Sequence, residues 1–301
     1  MGKGEIGKTL RQRLGVVDMN KLVFYGKRLM KEMKEDRATG LAAQQAYYYM
    51  LAIFPLLILV LSIIPYFSID PSRAVGFVEE YMPSESAEMF SDIIVNIVSE
   101  RNGGLLTFGI LGTIWSASNG VNAFMRAMNI AYGVEESRSF IKARLVSILL
   151  TFGLIVSLIV ALVLPVFGGV ILEFIKGILH VPDNMQIIFQ ILRWLLAVTV
   201  MVLVLSVLYK MAPNKDFPFK HVFPGAITAT ILWQLVSLGF SYYVSNFGNY
   251  SATYGSLGGV IILMLWLFLT GLILVLGGEV NAIYHRHTKD SEHYAEETKT
   301  Y

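Results

Sequence analysis

The chain has 301 residues, of which 55% are hydrophobic and only 15% charged, with no cysteine and a net charge of +2. An ordinary soluble domain carries about 25% charged residues, and a soluble core this apolar would lack the polar surface to cover itself. The composition excludes a disordered chain, a disulfide scaffold and a Cys-ligated metal site, and it reads as an all-α, polytopic membrane protein.

The first 37 residues hold ten Lys and Arg. Within them, residues 18–36 place Leu22, Leu29 and Met33 on one face and Lys21, Lys27, Arg28, Lys31 and Lys34 elsewhere. That pattern suits an amphipathic interfacial helix on an anionic inner leaflet, with a solvated basic leader as the plain alternative. The first apolar run begins only near residue 38, too late for a cleaved signal peptide, so the first span is expected to remain in the mature protein.

A bilayer-spanning helix needs about 20 apolar residues. Runs free of Asp, Glu, Lys and Arg cover 38–69, 102–125, 145–172 and 222–278, and 184–209 carries only Arg193. The longest run is interrupted by Gly, Asn, Ser and Tyr around Asn246–Ser256, which divides it into two helices. Six spans follow, at about 38–65, 104–130, 144–172, 186–210, 220–246 and 256–284. The runs are continuously apolar and do not alternate, which argues against a β-barrel. The domain reading is a leader at 1–37, a transmembrane domain at 38–286 and a polar, fraying tail at 287–301.

Between the first two spans, residues 66–103 form an acidic external insertion. Asp70-Pro71 reads as a helix start, and Met89, Ile93, Ile94, Ile97 and Val98 lie at helical spacing, so two short helices divided at Pro83 are expected. Lys and Arg concentrate before residue 38, in 138–144, in 210–220 and in the tail, against Arg73, Arg101 and Lys176 on the other side. The asymmetry places both termini in the cytoplasm. Arg193 near the outer end of the fourth span is expected to snorkel or to pair with Glu173.

Polar side chains punctuate the spans. The second carries Trp115, Asn119, Asn122, Arg126 and Asn129 at steps of four and three, on one face. The fifth carries Gln234, Ser237, Ser241 and Ser245 in the same rhythm, the first Gln44, Gln45 and Tyr47 to Tyr49, and the sixth Glu279 and Asn281 after Gly277 and Gly278. By depth, Arg126 and Glu279 each lie about one turn from the same ends of their spans, which makes a buried Arg126–Glu279 pair the expected contact. Two readings stay open for these residues: polar glue between helices, or a polar cavity facing a substrate. Pro55, Pro65, Pro165, Gly168, Gly169, Gly258 and Gly259 are breakers that fit fixed kinks or mobile hinges alike.

Enzyme chemistry finds no support. There is no HExxH, GxSxG or P-loop, and no Ser/His/Asp set can be assembled. His285 and His287 flank Arg286 in the basic tail, without a carboxylate or cysteine at ligand spacing, and are expected to be solvated. No catalytic residue, cofactor, metal or nucleic-acid partner is assigned; membrane lipids are the expected surroundings and partners.

Several motifs, taken together, resemble one family. Ala42-Ala43-Gln44-Gln45-Ala46-Tyr47-Tyr48-Tyr49 followed by Phe54-Pro55-Leu56-Leu57, Trp115-Ser116-Ala117 with Arg126-Ala127-Met128-Asn129, Pro224-Gly225-Ala226, Tyr254-Gly255-Ser256-Leu257-Gly258-Gly259 and Leu276-Gly277-Gly278-Glu279-Val280-Asn281-Ala282 resemble the signatures of the YihY / virulence factor BrkB family. The resemblance covers about residues 20–286 and implies a bacterial cytoplasmic-membrane protein with six spans. It carries over no catalytic residues. Members often bear the label ribonuclease BN, which this sequence does not support, because a metal-dependent tRNA nuclease needs a His/Asp cluster that is missing here. The leading expectation is movement of a lipid or other amphipathic substrate across or within the bilayer without an ATPase. A small-solute or ion transporter, an intramembrane enzyme and an envelope scaffold are the competitors.

The orientation is directly testable in a chain free of cysteine. Glu88→Cys is expected to react with an impermeant thiol reagent from outside intact cells, and Lys215→Cys only after permeabilisation; the reverse pattern would invert the topology.

Overall fold

The computed structural model describes residues 19–67, 101–155, 186–247 and 257–297. Every regular element among them is helical. In chain order they are α1 (Met19–Glu35), α2 (Ala38–Ile63, with a 3-10 turn at Ile64–Phe67), α3 (Gly103–Tyr132), α4 (140–155 in its described part), α5 (Gln186–Met211), α6 (Phe223–Phe247) and α7 (Leu257–Glu297). The external insertion apart from its two ends, residues 156–172 of the third span, Glu173 and the Arg193 side chain, and residues 248–256 lie outside what is described.

Among the described residues, four segments are long and apolar enough to cross a membrane: Ala38–Ile63, Trp194–Met211, Phe219–Asn246 and Leu257–Thr288. α3 is longer than α2, but its small and polar residues dilute its apolar character. Its ends are well marked. The Asn102 side chain accepts from the Leu105 N–H at 2.9 Å. At the other end Gly133 takes a left-handed φ of 62°, and Val134 N–H reaches back to the Asn129 carbonyl at 2.8 Å, the closure that glycine favours. α6 begins at Phe223 with Pro224 in its first turn, where a missing N–H costs nothing.

α7 runs on to Glu297, through most of the 287–301 tail expected to fray. Residues 284–297 contain no Gly or Pro, so nothing in them stops a helix that the span has already nucleated. α7 is also the hub: α1, α2, α3 and α6 all pack on it, while α2 pairs with α3 and α5 with α6.

Small residues set how closely these helices approach. Along the α2–α3 seam, Gly109, Gly112 and Gly120 lie against Leu59, Pro55 and Tyr49. A Cβ at Gly109 would come within 2.8 Å of the Leu59 backbone. The tightest crossing joins α6 to α7. There a side chain on Gly225 would overlap the Gly277 carbonyl oxygen, and one on Gly277 would overlap the Tyr209 hydroxyl. The fully buried Asn281 accepts the Gly225 N–H at 2.6 Å, and the fully buried Tyr209 donates to the Leu274 carbonyl at 2.9 Å. α5, α6 and α7 are thus fastened at one level by backbone contact and two buried hydrogen bonds.

α1 and α2 meet at a sharp corner. Arg37 holds φ at 52°, the left-handed region that a non-glycine residue occupies at a cost. The corner leaves Met33 packed on the protein core, so that residue of the expected membrane-facing stripe faces protein; among the described side chains of α1, Val23, Phe24 and Met30 are the exposed large apolar ones.

The crossing makes a specific demand. Gly225→Ala is expected to destabilise the protein in detergent by about 1–3 kcal/mol or to prevent folding, since the backbone opposite cannot yield. Gly239→Ala, on the same helix with open space around it, is expected to be neutral or slightly stabilising in the same thermal melt.

Candidate functional site

The polar residues singled out in the sequence do not converge on one point. The structure sorts them into three places and leaves several on helix faces.

The first place is the loop end of the bundle, where α3 runs into residues 133–139. Asn129 is buried; its Nδ2 donates to Glu136 Oε2 at 2.9 Å, and its Oδ1 accepts from the Asn214 N–H at 2.7 Å. Asn214 Nδ2 donates to the Glu135 carbonyl at 2.9 Å and to Ser137 Oγ at 2.7 Å. Arg138 forms an ion pair with Glu136 at 2.8 Å and donates to the Ala212 carbonyl at 2.8 Å, beyond the end of α5. The Arg138 guanidinium, bonded to Glu136, holds that carboxyl below the ordinary carboxylate range. This is a satisfied network, and it clamps two loops together.

The second place is the outer face of α3. Arg144 of α4 crosses to it, donating to Asn119 Oδ1 at 2.6 Å and to the Trp115 carbonyl at 3.1 Å. Its guanidinium carbon stands 3.9 Å from the centroid of the Trp115 ring, a cation–π contact. The Trp115 side chain is nonetheless 60% exposed. Asn122 is half-buried and Arg126 exposed on the same stripe. Arg144 entered the sequence reading only as a loop charge, and its reach from one helix to the next leaves no local spacing signal.

The third place surrounds Glu279, and it corrects the expected pairing. Arg126 and Glu279 do not meet. Met128 is the α3 residue that lies against Gly278, and a residue two positions earlier points about 200° around the helix from it. Arg126 therefore faces outward. Glu279 is completely buried and turns instead toward the α1–α2 corner, where one carboxylate oxygen each from Glu32, Asp36 and Glu279 lie within 4.8 Å of one another. Arg286, about two turns along α7, sets Nη2 3.0 Å from Glu32 Oε2 and donates from Nη1 to the Ala131 carbonyl at 3.4 Å. Arg28 Nε stands 3.5 Å from Glu32 Oε1. Burial raises the Asp36 carboxyl above its ordinary range, and the Glu32 charge adds to the rise, against a hydrogen bond to Glu279 and the Arg286 charge. Counting the leader for its basic residues passed over these two acids, although Arg28 and Glu32 stand at the helical pairing distance of four.

The remaining candidates are scattered along the helices, some buried between them and some half-exposed. Gln45 is fully buried beside Gly271 of α7, its Nε2 3.4 Å from the Leu41 carbonyl and its Oε1 accepting nothing. Gln44 and Tyr48 are half-buried, with the Tyr47 and Tyr48 ring centroids 5.4 Å apart. Gln234 and Ser237 are half-buried on α6. Asn281 belongs to the α6–α7 crossing, and its Nδ2 is buried without an acceptor. His285 is not solvated: its Nδ1 stands 2.7 Å from Nδ1 of the buried His221, and its ring meets Phe217 at 4.8 Å. At that separation at least one of the two nitrogens carries no proton. His287 is exposed, with its ring 5.8 Å from Tyr25.

Comparison with known proteins gives one family. A profile described as virulence factor BrkB matches residues 29–300. The ribonuclease-like protein YfkH of Bacillus subtilis (strain 168) is 44% identical over 248 residues, 82% of this chain and 90% of its own. The UPF0761 membrane protein VSAL_I2938 of Aliivibrio salmonicida is 28% identical over 261 residues, covering 84% and 81% of the two chains. The UPF0761 membrane protein NMB0524 of Neisseria meningitidis serogroup B is 28% identical over 279 residues, covering 90% and 66%. No solved structure matches the chain.

The altered pairing sets a mutational test. Arg286→Gln leaves the three acids less compensated and is expected to cost about 1–3 kcal/mol, below the figure for a fully buried pair because the side chain is partly exposed. Adding Glu279→Gln is expected to recover much of that loss in a double-mutant cycle. Arg126→Gln should stay within about 0.5 kcal/mol of the parent; a large loss there would restore the original pairing.

Proposed function

The chain belongs to the virulence factor BrkB family, and we propose that, as an integral protein of the bacterial cytoplasmic membrane, it moves a lipid or other amphipathic molecule across or within the bilayer. The observation that carries this reading is the stripe on α3. Trp115, Asn119, Asn122 and Arg126 lie along one face of a long helix, with Trp115 and Arg126 exposed. Around them the exposed side chains are large and apolar, among them Phe108, Leu111, Leu145 and Leu149. A charged or amide side chain facing hydrocarbon is expensive, and the expense falls when a phosphate head group or water lies along it. An amphipath needs such a track for its head and tolerates lipid around its tail.

In this reading the chain has six spans, those at about 104–130 and 144–172 among them, and both termini are cytoplasmic. α1 lies at the inner leaflet on Val23, Phe24 and Met30, with Lys27 and Lys31 toward anionic head groups. The polar residues of the α6–α7 crossing and the loop clamp act as structural bonds. The path is non-catalytic, and the ribonuclease-like name belongs to a relative and is not carried to this chain.

Reconstitution tests the path. Proteoliposomes of purified protein with a fluorescent phospholipid in both leaflets are treated with a membrane-impermeant quencher. Quenching is expected to proceed beyond the outer leaflet, and to slow severalfold with Arg126→Gln or Asn122→Leu. Quenching confined to the outer leaflet, or rates unchanged in both variants, would refute the lipid track.

A further inference from the structure

We infer that the Glu32, Asp36 and Glu279 carboxylates form a binding site for one divalent cation of the hard, oxygen-preferring kind, the class of Mg²⁺, Mn²⁺ and Ca²⁺. The inference stands apart from the lipid-path reading and would survive its failure.

The geometry is that of a chelate. The three contributing oxygens lie within 4.8 Å of one another. An ion with oxygens at about 2.0–2.6 Å holds any two of them no farther apart than about 4–5 Å. The residues come from two directions: Glu32 and Asp36 from one turn at the end of α1 and the corner after it, Glu279 from α7. An ion there would tie the N-terminal helix to the hub of the bundle. All three ligands are carboxylates, with no thiolate or imidazole among them, which favours hard cations over zinc or copper.

A second observation points into the same space. Glu279 is 0% exposed, and no N–H or hydroxyl donor reaches either of its carboxylate oxygens; its one hydrogen-bonding neighbour is another acid, Asp36. A buried carboxylate is ordinarily paired or bound to metal. No basic neighbour supplies its partner. Arg28 and Arg286 both direct their close contacts to Glu32, Glu35 adds a further negative charge beside Asp36, and Arg126 faces away. Three acids therefore stand against two guanidinium groups on one of them. The C-terminal end of α1 brings its own partial negative charge to the same corner. A dication answers this excess; Glu32 keeps Arg286 on Oε2 at 3.0 Å and would offer Oε1, exchanging the longer 3.5 Å Arg28 contact for the ion.

The test uses full-length protein in detergent, stripped with chelator and titrated with MnCl₂, with free Mn²⁺ read by electron paramagnetic resonance. One Mn²⁺ is expected per chain, displaced by Mg²⁺ or Ca²⁺ and accompanied by a rise in melting temperature. Glu279→Gln and Asp36→Asn are each expected to weaken binding at least tenfold, while both melt no lower than the parent in chelator because each removes a like charge. Absence of bound Mn²⁺ at millimolar concentration would overturn the site, and a parent whose melting temperature then falls as pH rises would show a shared proton in its place. Unchanged binding in both variants would place the ion elsewhere and equally overturn it. Failure of both variants to fold in chelator would also overturn it, since the carboxylates would then be stabilising without an ion.

Discussion

The arrangement of the bundle depends on one close crossing, where α6 and α7 touch backbone to backbone at Gly225 and Gly277. In a lipid environment no hydrophobic force draws helices together, so packing and interhelical hydrogen bonds must do so. Here both act at one level. The missing side chains allow the Gly277 carbonyl to reach Gly225, and that approach brings the Gly225 N–H onto Asn281. Tyr209 then completes the junction from α5. Because α7 also carries the contacts with α1, α2 and α3, a shift at this crossing would move the surface on which Glu279 and Arg286 stand.

Much of this organisation was legible in residue types alone. The spans read from charge-free runs match the described ends of α2, α3, α5 and α6 to within a few residues, while α7 continues to Glu297, and Gly-Gly-Glu with Asn281 marked the stretch of α7 that packs most closely on its neighbours. The α3 polar stripe was also visible, and its residues do share a face. Rotation about the helix axis was not legible. Depth along a span follows from counting, but facing changes by about 100° per residue. Arg126 and Glu279 thus shared a level without sharing a side. Met128 made the contact that Arg126 was assigned, and nothing in the one-dimensional spacing distinguishes the two outcomes.

The two acid-bearing corners at the loop end show opposite electrostatic solutions. Glu136 is neutralised by Arg138 and bonded by Asn129, and its loop is correspondingly locked to residues 212–214. Glu279 sits in a drier place with more negative than positive charge around it. The first corner was partly readable, since Glu136 and Arg138 are neighbours in sequence. The second is assembled from segments more than 240 residues apart, joined by a corner whose direction rests on the unusual backbone of Arg37. Local sequence does not encode that convergence.

α7 is a single helix of 41 residues, about 60 Å at 1.5 Å per residue. The hydrocarbon of a bilayer is about 30 Å thick, so no tilt within the usual range accommodates its whole length. Half of the rod must stand clear of the apolar layer. A continuous helix resists twisting far better than a jointed one, and the protruding arm and the Gly277 crossing belong to the same shaft. Torque applied to the arm would therefore arrive at the crossing with little loss, making the far end of the chain a mechanical handle on the interior of the bundle.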